Sequence, residues 1–345
     1  MILHPCRLHL FRGSAIVGMA LSLLGNLIAS SSMAQPPSPI SLVPIPLAQL
    51  NPVAPDYRVP ALQRDSGGNL WVGSWQGLVH LNANTGQTIA RVNLPNVIIG
   101  SLTEDRVGRV WVGTYEGLKR IDPRTHEITA QNFSLPSNRV LSLLIDQRGY
   151  LWVGTDRGLA LVSPDEGLLM TTLQDLPGLS ANTLALDPQG QLWVGTLDGL
   201  VQVNTASAMI DRLVNDLPGQ AVQALAIDPQ GQLWVGTPSS LVVVDPQKGR
   251  MTRSVTAFQG KEVTALQFDQ AGNLWVGTSN GLFRINRFNG EILGEIAGLP
   301  SSHILDLSPD TGNKIWIGTS EGLAWVSPTS WTARIHTAFS RSSSL

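Results

Sequence analysis

The chain has 345 residues, room for two average domains or for one large repeat or barrel domain. Charged residues make up 14% and hydrophobic residues 43%, a balance that can bury a large core and that excludes an intrinsically disordered chain. The formal net charge of −2 lacks the basic surplus of a general nucleic-acid binder, so no nucleic-acid partner is expected.

Residues 1–34 read as a secretory signal peptide. Arg7 and Arg12 form a basic start, 13–29 an apolar stretch, and Ser32-Met33-Ala34 a small-x-small cleavage site. The competing reading is an uncleaved anchor helix, for which the apolar stretch is nearly long enough. Cleavage near Ala34 removes Cys6, the one cysteine, so the mature chain has no disulfide although export would permit one. It leaves 21 basic and 25 acidic residues, and no second run of spanning length. The expectation is a periplasmic or secreted monomer with no membrane insertion after cleavage. Residues 35–53 carry Pro36, Pro37, Pro39, Pro44, Pro46 and Pro52 and read as an extended linker. Residues 341–345 read as a disordered tail.

The ten tryptophans outnumber the phenylalanines, at seven, and the tyrosines, at three, and seven of them recur at one period. They stand at 71, 111, 152, 193, 234, 275 and 316. Each has an Asp six residues before it, from Asp65 to Asp310, and a Gly two residues after it, from Gly73 to Gly318. A period of about 41 marks a repeat architecture. Within each repeat, short apolar runs alternate with turn signals, as four strands joined by hairpins require. In the fifth repeat the strands are expected at 222–227, 233–237, 241–244 and 251–257. Asp228-Pro229-Gln230-Gly231 has the residue order of a tight turn. Such segments are too short and too rich in Val, Gly and Thr for a helical solenoid. The predicted fold is all-β, a seven-bladed β-propeller over 54–340 with four antiparallel strands per blade.

The frame Leu-Trp-Val-Gly-Thr-x-x-Gly-Leu resembles the two-component regulator propeller repeat. The best copies run from Asn273-Leu274-Trp275-Val276-Gly277-Thr278 to Gly281-Leu282, and from Arg109-Val110-Trp111-Val112-Gly113-Thr114 to Gly117-Leu118. The resemblance implies a periplasmic sensor propeller, some relatives of which recognise oligosaccharides. This chain reads as a stand-alone version without a kinase.

Positions shared by all repeats report structure. Each frame Trp removes roughly 150–250 Å² from water and is assigned to the contact between blades. Each frame Asp is assigned to capping its own turn, not to a metal ring, because successive copies lie a blade apart. Gly277-Thr278-Ser279-Asn280-Gly281 and Gly318-Thr319-Ser320-Glu321-Gly322 match a hydrolase elbow, but as hairpin turns they lack its strand-to-helix context. No catalytic residue, metal or cofactor is expected.

Departures from the frame are the functional candidates. On the turns between second and third strands these are Trp75, Tyr115, Glu116, Asp156, Arg157 and Asp198. On the entries to the inner strands they are Arg58, Arg139, Glu262 and His303. Aromatic rings beside mixed charges suit an oligosaccharide, a peptide or a small polar metabolite, set against the plain reading of a solvated rim. Asp306 is a further departure, where the other repeats place Ala61, Ser101, Ser142, Thr183, Ala224 and Ala265. A carboxylate there faces the channel and needs a partner. Arg64 and Glu104, on adjacent blades, are expected to pair. Two segments compete to complete the last blade, 331–339 and the Pro-flanked 45–50, and Trp325 and Trp331 are expected to help close the ring. The leading function is a non-catalytic, sensor-like binding propeller. The alternatives are a metal-dependent lyase or lactonase using His303 and Asp306, and a scaffold for an envelope protein complex.

Overall fold

A computed structural model of the chain describes residues 56–94, 97–131 and 133–340. The segments read as signal peptide, linker, tail and a competing strand at 45–50 lie outside these residues. Within them the strands form seven four-stranded antiparallel sheets, each running inner, second, third, outer in chain order. The seven-bladed propeller is what the repeat predicted.

Blade 5 shows how the local sequence builds a unit. Its strands are Ala224–Ile227, Leu233–Gly236, Leu241–Asp245 and Arg250–Ser254. Gly231, at φ +80°, donates its N–H to the Asp228 carbonyl at 2.8 Å and closes the expected turn. The inner strand starts two residues later than expected because Val222 gives its N–H to Thr196 of blade 4. The outer strand stops early, and a 3-10 turn at Thr256–Phe258 buries Phe258 completely.

Every second strand is buried along its length, as at Leu192–Thr196, because neighbouring blades cover both of its faces. The seven frame tryptophans are 0–1% exposed. Each packs into the next blade: Trp193 against Leu225, Leu233 and Val235 of blade 5, and Trp316 against Leu62, Leu70 and Val72 of blade 1. The last contact closes the ring. Such close approach of blades also explains the frame glycine. A Cβ on Gly113 would stand 2.5 Å from both Ser101 Oγ and Val140 Cγ1, so Gly113→Ala should lower stability by about 1–3 kcal/mol. Urea unfolding of the variant checks this.

The frame aspartates do more than cap turns. Asp187 Oδ1 accepts the Gln191 N–H at 2.8 Å, and its Oδ2 accepts the indole N–H of Trp193 at 3.0 Å. The same indole bond forms in blades 2, 3, 5 and 6, to Asp105, Asp146, Asp228 and Asp269. A buried indole N–H needs an acceptor, and the six-residue spacing supplies it. Blades 1 and 7 differ. Asp65 Oδ2 accepts the His80 Nε2–H at 2.7 Å, His80 stacks on Trp71 at 4.1 Å, and the Trp71 N–H meets no partner among the described residues. Asp310, at φ +54°, does not cap its own turn as expected. Its carboxylate accepts the Gln270 N–H of blade 6, and Trp316 turns to the Thr311 carbonyl.

Blade 7 is built from Ile304–Ser308, Ile315–Thr319, Gly322–Val326 and a two-residue outer strand, Arg334–Ile335. That strand comes from the 331–339 segment, whose Phe339 joins the blade 7–blade 1 cluster. Trp325 packs there too, its ring centroid 6.5 Å from that of Trp316. Trp331 does not: it covers Gly294 on the outer strand of blade 6, and its carbonyl accepts the Ala297 N–H. The ring is joined instead by the Val59 N–H, donated to Thr319 at 3.0 Å.

Candidate functional site

The turn between second and third strands is tightened by the frame Thr. Thr114 Oγ1 donates to the Gly117 carbonyl and accepts the Glu116 N–H, which leaves residues 115 and 116 at the tip. The turn backbone then bonds to the entry of its own inner strand. Tyr115 donates to Ile98, Asp156 to Arg139, Ser279 to Glu262 and Ser320 to His303, at 3.0–3.3 Å. These bonds put the two groups of candidates on one rim, beside the channel mouth.

Four of them form a row over blades 1–3. The Arg58 guanidinium lies 5.6 Å from the Trp75 ring centroid, and that of Arg139 lies 4.5 Å from Tyr115. Distances of this order give a cation–π contact of about 0.5–1 kcal/mol at exposed sites. Arg58 is held by Asp56, whose Oδ2 accepts its Nε–H at 2.8 Å, and that bond raises the guanidinium pKa above its ordinary value. The row continues to blade 3 through Asp156, whose Oδ1 is buried without a partner among the described residues. Arg157 is exposed beside it, and Glu116 beside Tyr115.

Two contributors escaped the sequence reading. Asp56 fixes Arg58, and Gly100 seats the tyrosine: a Cβ there would stand 3.4 Å from Tyr115 Cε1. The signal for Gly100 was present, since the same channel position is Pro60, Leu141, Asn182, Gln223, Thr264 and Leu305 in the other blades.

The other candidates stand apart from this row. Asp198 is exposed on blade 4. Glu262 accepts the Gln223 Nε2–H at 3.0 Å on the opposite side of the ring. His303 is exposed on the rim of blade 7, with its N–H donated to Ser301 Oγ. The expected Arg64–Glu104 pair is not formed. Glu104 instead accepts both the N–H and the hydroxyl of Ser66, at 2.6 and 2.7 Å, because the adjacent turn brings these donors closer.

Asp306 lines the central channel, a cavity of about 510 Å³ walled by the inner strands. Its Oδ2 accepts the Leu62 N–H of blade 1 at 2.7 Å and its Oδ1 the Leu307 N–H at 2.8 Å. The side chain thus clasps the last blade to the first. Burial raises its pKa to about 7 against the two hydrogen bonds, which pull the other way. Among the described residues no group of three His, Cys, Asp or Glu side chains converges on a metal position.

A family model described as two component regulator propeller matches residues 54–76, 93–116, 134–157, 175–198, 216–239 and 257–280. Those are six of the seven repeats, and the seventh is the one in which Asp310 keeps its place but does not cap its own turn. No curated protein sequence matches the chain significantly. Similar solved structures include the extracellular domain of BT4673 of B. thetaiotaomicron, assigned as a hybrid two component system. It is 23% identical at a TM-score of 0.68, over 79% of this chain and 38% of that one. The extracellular domain of BT3049 from the same organism follows at 20% identity and a TM-score of 0.66, over 79% and 40%. Virginiamycin B lyase from Staphylococcus aureus matches at 16% identity and a TM-score of 0.64, over 77% and 93%. At these identities the likeness shows the propeller fold alone. The chain spans 38% and 40% of the two extracellular domains.

Proposed function

The chain belongs to the two component regulator propeller family, and on that premise we propose that it is an exported, sensor-like propeller that binds an oligosaccharide on its rim. The observation that carries this reading is the row Trp75, Arg58, Tyr115 and Arg139, in which two aromatic rings are each held by a guanidinium. Rings fixed in this way lose little entropy when a sugar face stacks on them. The charged tips of Arg58, Arg139, Asp156 and Glu116 supply hydrogen bonds to its hydroxyls. The signal-peptide pattern supports export, and so does the occurrence of this fold in extracellular domains.

Calorimetry of the purified chain against a panel of oligosaccharides tests the assignment. A bound sugar should lose about tenfold or more in affinity, roughly 1.4 kcal/mol, in Tyr115→Ala and in Trp75→Ala. A sugar that binds both variants as well as the parent would remove the rim from the account. Capture of an envelope protein with no response to any sugar would support the scaffold reading instead.

A further inference from the structure

Among the described residues, no Lys, Arg or His pairs with Asp306 in the channel. The channel wall carries, among these described residues, one other ionisable side chain, Glu104, and no Lys, Arg or His. The Glu104 oxygens are taken up by Ser66. Two further polar atoms on the wall, Ser101 Oγ and Gln223 Oε1, are buried and meet no partner among the described residues. A half-buried carboxylate is more stable when paired, and two backbone N–H groups leave its charge uncompensated. An anion entering here would meet two like charges, whereas a cation would meet none.

The rest of the wall offers a second kind of group. Leu62 pairs with Val72, yet its N–H goes to Asp306, so this is a pair whose backbone groups point away from the second strand. The same register recurs in Leu102↔Val112, Leu143↔Val153, Leu184↔Val194, Leu225↔Val235 and Leu266↔Val276. Five more N–H groups therefore face the channel, and their own side chains cannot reach back to them. The residues standing where Asp306 stands are too short to act as its carboxylate does. Ser142, for example, spends its hydroxyl on the Ala181 carbonyl at 2.9 Å.

We propose that the channel binds a small primary amine that also carries an oxygen acceptor, of the amino alcohol or amino acid class. Its ammonium pairs with Asp306, and its oxygen accepts from the leucine N–H groups of the channel wall. The volume of about 510 Å³ lies within the range of small-molecule sites. This site is separate from the rim row, and either assignment can fail without the other.

Isothermal titration of the purified full chain at pH 7 with ethanolamine and with glycine tests the proposal, with acetate as the probe that lacks an ammonium group. The expected result is saturable binding of at least one amine and none of acetate. Binding should release up to about half a proton per ligand at pH 7, because Asp306, with a pKa of about 7, is half protonated there and the ammonium favours its ionised form. A series of buffers with different ionisation enthalpies reads that release. Asp306→Asn should weaken binding about tenfold or more and abolish the release. Proton release is read on the unaltered protein, so the test survives a variant that does not fold. Absence of amine binding at tens of millimolar, acetate binding as well as the amines, amine binding without proton release, or undiminished binding to Asp306→Asn would each overturn it.

Discussion

Trp193→Ala is expected to lower the unfolding free energy by about 3–5 kcal/mol. The indole is fully buried between blades 4 and 5. At about 25 cal/mol per Å² its burial is worth on the order of 4–6 kcal/mol gross. Truncation also strips Asp187 of a hydrogen-bond donor in a site where the carboxylate is 3% exposed. Trp193→Phe separates the two contributions. It keeps most of the apolar area but leaves Asp187 Oδ2 without the indole, at a cost of about 1–3 kcal/mol. Denaturant midpoints of the two variants should therefore fall in that order. A midpoint for Trp193→Ala equal to the parent's would contradict the role given to all seven frame tryptophans.

The second large effect is a pH dependence carried by Asp306. In the folded chain its pKa is about 7, against 3.8 as the ordinary value. Between those values the folded state holds a proton that the unfolded state has lost. The contribution is therefore fully present below about pH 4 and is lost as pH rises through about 7, a total of about 4 kcal/mol. His126 works in the opposite sense. Burial and the neighbouring His80 lower its pKa below 6.5, so its contribution is present above pH 6.5 and is lost as pH falls. Thermal unfolding of the parent and of Asp306→Asn across pH 4–8 isolates the first effect. The difference between the two curves should shrink or reverse toward pH 8. A difference that stays constant across this range would mean that Asp306 titrates in the fold as it does in the unfolded chain.

Much of this architecture is local and was therefore legible. A repeated Trp with turn residues at constant offsets specifies one four-stranded unit, and seven copies specify a ring. The turn at Asp228–Gly231 formed where its residue order placed it. The Asp–Trp spacing of six was visible as well, but its meaning was only half drawn. The turn-capping oxygen could be inferred from residue type, while the oxygen that accepts the indole depends on how the second strand folds back.

The misses share one cause, which is contact between blades. Arg64 and Glu104 sit at equivalent positions, yet Ser66 reaches Glu104 first. Trp331 lies in the last repeat but covers Gly294 of the sixth. Asp310 keeps the frame spacing and still bonds to Gln270 across the blade boundary. The rim behaves alike: residue type marked Trp75, Tyr115, Arg58 and Arg139, and only the packing showed them stacked in pairs while Asp198, Glu262 and His303 stand elsewhere.

The sequence by itself determined the unit, its number of copies and the buried face of each strand, because period and turn chemistry act within about forty residues. The tertiary structure alone decided which side chains meet across blades and what Asp306 touches, since its partner Leu62 lies 244 residues away. Ring closure makes neighbours of the two ends of the propeller, and no local pattern encodes a contact at that separation.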